Sequence, residues 1–132
     1  FSGTGSIAGT TTLTKRGAGT LTLSNTGVNT YSGGTIIEAG LVDIGTLGQN
    51  GIGTGKITLA GGTLRAITPT GANITLAQEI AVTGTSTLIT ANSGTTARQS
   101  ILGGPITGAG TLNLTNDNTA SAKGLDIATT TG

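Results

Sequence analysis

The chain has 132 residues, of which 25 are Gly and about thirty are Thr, with one Phe, one Tyr and no Cys, Met, Trp or His. Charged residues make up 8% and the net charge is +1, against about a quarter charged in an ordinary globular domain. This excludes a disulfide framework or thiolate metal site, phosphate-tracking nucleic-acid binding, which needs clustered cations, imidazole proton transfer, and a bilayer-spanning apolar helix.

Disorder goes with high charge and few β-branched residues, whereas here Thr, Ile and Val abound and alternate with polar residues. Period-two alternation predicts short strands at Thr20–Leu23, Thr35–Glu38, Leu41–Ile44, Lys56–Leu59, Thr63–Ala66, Asn73–Leu76, Glu79–Val82, Ser86–Thr90, Ser100–Leu102, Thr111–Leu114 and Leu125–Ile127. Turn-forming pairs such as Gly33-Gly34, Asn50-Gly51, Gly61-Gly62 and Gly103-Gly104 separate them. No stretch shows the i, i+3, i+4 spacing of an amphipathic helix.

One heptapeptide is written more than once. Gly17-Ala18-Gly19-Thr20-Leu21-Thr22-Leu23 returns as Gly108-Ala109-Gly110-Thr111-Leu112-Asn113-Leu114 and, degraded, as Gly53-Thr54-Gly55-Lys56-Ile57-Thr58-Leu59. A Gly-rich turn followed by a strand with one apolar face cannot bury that face alone, so copies must stack as a solenoid. An antiparallel sandwich is the competing architecture, but it favours longer strands and core aromatics. Strands of three to five residues, Gly corners and small aliphatics favour a parallel β-helix of five or six coils, a single segment over 1–132.

Alternation assigns Leu21, Leu23, Val42, Ile44, Ile57, Leu59, Ile74, Leu76, Ile80, Val82, Leu112 and Leu114 to the interior. Thr20, Thr22, Asp43, Lys56, Thr58, Thr75, Ala81, Thr111 and Asn113 face outward; an inward Asp43 carboxylate would lack a partner in so charge-poor a chain. Burial of Leu112 sets an expected cost for Leu112→Ala of about 2–5 kcal/mol.

The run Leu13-Thr14-Lys15-Arg16-Gly17-Ala18-Gly19-Thr20-Leu21-Thr22-Leu23-Ser24-Asn25, followed by Asn29-Thr30-Tyr31-Ser32-Gly33-Gly34-Thr35-Ile36-Ile37-Glu38-Ala39-Gly40, closely resembles the autotransporter passenger-associated β-strand repeat. Tyr31 falls where that repeat has its tyrosine, and the pattern returns in part at Gly108. The resemblance implies a right-handed parallel β-helix, secreted to the bacterial cell surface, with structural, adhesive or self-associating roles. It carries over no functional residue, and Tyr31 is expected to pack at a corner. No basic-then-apolar leader stands at Phe1, so the chain is expected to be a piece of a longer solenoid or filament.

Parallel β-helices also host polysaccharide-cleaving enzymes, which need carboxylates. The acids are Glu38, Asp43, Glu79, Asp117 and Asp126; Asp43 with Glu79 is the nearest approach to a pair, with no His or aromatic platform for a sugar ring. Asn116-Asp117-Asn118 offers oxygen ligands for calcium, but such clusters usually cap their own turns. The Gly-rich segments lack the helix and Lys-Ser/Thr tail of a phosphate cradle. Asn73-Ile74-Thr75 and Asn113-Leu114-Thr115 match the Asn-glycosylation pattern by the chance expected of a Thr-rich chain, and the Thr rows lack the fixed Thr-x-Thr spacing of an ice-binding face. The expectation is therefore a non-enzymatic module with no catalytic, cofactor or metal site. Its expected partners are copies of itself or another surface protein or glycan, with no nucleic acid and no membrane insertion by this segment. End-to-end stacking of open coil ends into a filament is the alternative, and a carbohydrate-active enzyme fragment the second.

Overall fold

The computed structural model describes residues 1–45, 47, 51–68, 73–92, 100–117 and 125–127. The strands are β1 (Ser2–Gly3), β2 (Leu13–Lys15), β3 (Thr20–Thr22), β4 (Ser24–Asn25), β5 (Thr35–Ile37), β6 (Leu41–Asp43), β7 (Ile57–Leu59), β8 (Thr63–Thr68), β9 (Ile74–Leu76), β10 (Ile80–Val82), β11 (Ser86–Asn92), β12 (Ser100–Leu102), β13 (Ile106–Thr107), β14 (Leu112–Asn116) and β15 (Leu125–Ile127). Every pairing is parallel and joins strands one turn apart. The result is a parallel β-solenoid.

Three faces result. The first is the sheet β2-β5-β7-β10-β13, the second is β3-β6-β8-β11-β14 and the third carries β9-β12-β15; the pair β1-β4 is a separate two-stranded sheet. Five strands in each of the first two sheets bound four complete turns, slightly fewer than the five or six expected. The shortfall comes from turns that lengthen along the axis. On the first face Leu13 pairs with Thr35, Thr35 with Ile57, Ile57 with Ile80 and Ile80 with Ile106, so the step grows from 22 residues to 26. On the second face strands of three residues (β3, β6) give way to six and seven (β8, β11).

Register stacks the interior side chains in columns. Leu21, Val42, Leu64, Leu88 and Leu114 form one; Ile37, Leu59 and Val82 form another. Val42, Leu64, Leu88, Ile37, Leu59 and Val82, together with Leu23, Ile44, Ile57, Ile74, Leu76, Ile80 and Leu102, make one continuous buried core, against which Leu21 packs. Burying each such aliphatic is worth about 1.5–3 kcal/mol, and the strand-to-strand ladders satisfy the backbone between them.

The eleven predicted strands are all present with ends shifted by a residue or two. The four missed ones, β1, β2, β4 and β13, are two or three residues long and mostly polar. Neighbouring turns, and not local alternation, make them strands. Four side-chain assignments change. Leu114 is 41% exposed and Leu112 only half-buried, because β14 is the last strand of its sheet and the column ends there. Leu21 is only partly buried on β3, the edge strand at the other end of that sheet. Ala81 is buried where exposure was expected: its methyl stands in register between Thr58 and Thr107, whose longer side chains flank it. The Asn50 turn position lies outside the described residues.

Candidate functional site

Several polar residues of the repeat are turned inward. In β2 the alternation Leu13-Thr14-Lys15 puts Lys15 on the interior side, in line with Ile37. Lys15 is 8% exposed. Its ammonium donates to the carbonyls of Gly17 at 2.6 Å, Arg16 at 2.9 Å and Ala39 at 3.2 Å, so all three N–H groups close the corner of two successive turns. Gly40, at φ +71°, lies against it; a Cβ there would stand 2.6 Å from the Lys15 Nζ. The glycine makes room for the cation.

A second brace lies in the segment after β4, where residues 26–34 form no strand. Asn25 and Asn29 are buried and exchange amide hydrogen bonds, Asn25 Nδ2 to Asn29 Oδ1 at 2.9 Å and Asn29 Nδ2 to Asn25 Oδ1 at 3.2 Å. Asn29 also accepts from the Ile7 N–H and donates to the Gly51 carbonyl, each at 2.9 Å, tying three turns together. Asn25 donates to Gly27 and Gly5 carbonyls. Beside them Tyr31 is fully buried, its hydroxyl 2.7 Å from Thr35 Oγ1, which in turn donates to the Ile52 carbonyl at 3.3 Å. Burial pushes the Tyr31 hydroxyl above its ordinary value of 10.0, and the Thr35 hydrogen bond opposes this in part. Gly53, at φ +74°, packs on Tyr31, where a Cβ would approach its carbonyl to 2.6 Å and its ring to 2.8 Å. Tyr31 is thus a packing residue, as its resemblance to the repeat's tyrosine implied.

Glu38, Asp43 and Glu79 are separated, each with its own partner. Arg16 Nε donates to Glu38 Oε2 at 2.7 Å across one turn on the exposed surface, and that hydrogen bond holds the Glu38 carboxyl below the usual carboxylate range. Asp43 faces outward as expected. It accepts from Arg65, its register partner, at 3.2 Å and from the Gly45 N–H at 2.8 Å. Glu79, beside the first face, accepts from the Thr107 hydroxyl at 2.8 Å. Asp43 and Glu79 therefore lie on different faces, and the geometry does not assemble them as a carboxylate pair. Asp117 is exposed and its N–H donates to the Thr90 carbonyl; Asn118 and the side chain of Asp126 lie outside the described residues. Among the described residues no cluster of three acids suits a metal ion, and no helix is long and apolar enough to cross a membrane.

Sequence reasoning missed Lys15, Asn25 and Asn29 as interior residues. One signal was available: extending period two back from Leu13 already puts Lys15 on the inner side. No comparable signal marks the asparagines, because Asn25 ends a two-residue strand and Asn29 lies in none.

The fold and its inward-turned motif define a structural solenoid. Residues 13–44 and 107–128 match the model of the passenger-associated-transport-repeat family, and the first match contains Lys15, Asn25, Asn29, Tyr31 and Thr35. The chain carries this autotransporter passenger repeat, which marks secreted, cell-surface material. It is similar to the adhesin BmaC autotransporter of Brucella suis biovar 1 (strain 1330), at 40% identity over 102 residues, covering 77% of this chain. The match spans 3% of that relative's length. No solved structure matches the chain significantly.

Proposed function

We propose that this segment is a non-enzymatic length of surface stalk within a longer solenoid, supporting or extending the adhesive surface of a secreted passenger. The observation that carries the reading is the direction of the motif's polar groups. Lys15, Asn25, Asn29, Tyr31 and Thr35 are all buried against the chain's own backbone or one another, so the repeat specifies scaffold. The similarity to a protein named as an adhesin supports surface adhesion as the role of the whole. Continuation of the coil is supported by Ile106 and Leu114, 37% and 41% exposed at the ends of two interior columns, which a further turn of polypeptide would cover.

The same open column ends favour a second reading, stacking of separate copies into a filament. Light scattering over a hundredfold concentration range separates the two. A stalk segment stays monomeric, and its parent gains stability when further turns are appended; mass that grows with concentration supports the filament. Release of reducing ends or unsaturated products from acidic or neutral polysaccharides would overturn both in favour of an enzyme.

A further inference from the structure

We propose that the solenoid has a built-in bending point between its third and fourth turns, where the third face opens while the other two faces act as the hinge. Across this boundary the first face is continuous from β7 to β10 and the second from β8 to β11, in register throughout. The third face is not. Among the described residues β9 is an edge strand, paired only with β12, and residues 51–53 below it form no strand.

Besides core packing of Ile52 with Ile74 and Leu76, a side-chain hydrogen bond joins the two turns on this face among the described residues. Gln78 Nε2 donates to the Gly53 carbonyl at 2.6 Å, while Gln78 Oε1 is buried and has no hydrogen-bond partner. A half-satisfied buried amide is a weak link, since opening lets its idle oxygen reach water. By contrast, residues 51–54 are firmly tied to the turn before them, through Asn29 to Gly51 and the Thr54 N–H to the Tyr31 carbonyl at 3.0 Å. The stitching therefore ends between 51–55 and 73–79. A coil held on two of three faces resists stretching and bends about their shared corner, opening on the third. For a stalk this supplies compliance in one direction without loss of length.

Hydrogen exchange followed by mass spectrometry on the intact chain tests this. Peptides covering 51–55 and 73–79 exchange together, at least about tenfold faster than those covering 35–43 and 86–92. Gln78→Ala accelerates only the first two, by a further three- to tenfold or so. Exchange across the boundary within a factor of about two of the flanking turns overturns the proposal. So does a Gln78→Ala variant whose exchange rises equally in every turn.

Discussion

Tyr31 is the one tyrosine of the chain, and it sits fully buried with its hydroxyl on Thr35. Its raised folded-state value means that the neutral phenol stabilises the fold. That contribution is whole below the unfolded value near 10 and is lost as pH climbs through the higher folded value. Urea midpoints measured from pH 8 to 11 should therefore fall at the alkaline end together with the appearance of tyrosinate absorbance. In Tyr31→Phe that part of the decline is missing, and the protein starts about 1 kcal/mol less stable, because Thr35 keeps its bond to the Ile52 carbonyl. Charge scarcity in the sequence was enough to turn Asp43 outward, and Arg65 duly stands one turn above it. The same scarcity argument misleads at Lys15. A lone cation reads as solvent-facing until three corner carbonyls are seen to converge on it, and those carbonyls come from loop geometry that no alternation pattern encodes.

A single strand here is too short to mean anything alone; its column gives it a place. Leu88 is fully buried between Leu64 and Leu114, so Leu88→Ala should cost about 2–5 kcal/mol by thermal melt. Leu112→Ala, expected from the sequence to be as severe, should now cost only about 1–2 kcal/mol, since Leu112 is only partly buried at the edge of the core. A larger loss at Leu112 than at Leu88 would mean that the interior columns are wrongly assigned. Interior identity was legible wherever aliphatics alternate with Thr, as in Ile57-Thr58-Leu59. It was illegible where a column runs out, because exposure at Leu114 depends on what stacks above and not on its own neighbours. Nor could Asn25 and Asn29 be read as a brace: their role exists only because Ile7 and Gly51 arrive from the turns on either side.

For the molecule as a unit, stability should be a sum over turns and their contacts. Ile80 and Ile106 occupy equivalent places, so excising residues 80–105 joins Glu79 to Ile106 and lets β13 meet β7. This variant should fold cooperatively, with its urea m-value reduced by roughly a quarter as four turns become three. Excising 80–104 instead shifts every later side chain to the opposite face and should abolish the cooperative transition. Circular dichroism during urea titration distinguishes the two. The stacking of one-faced strands was readable from the returning heptapeptide; turn count was overestimated because the later turns spend more residues per circuit.

That lengthening bears on how such a rod can be joined. Along the corner just before the second face, register aligns Gly40, Gly62, Ser86 and Leu112, a progression from no side chain to a large one. Among the described residues the circuit thus flares in residue count, from 22 to 26 per turn. Identical pieces butted head to tail would set a wide rim on a narrow one at every joint, whereas an uninterrupted polypeptide can carry the flare onward or taper it again. The geometry favours growth by adding sequence over growth by adding subunits.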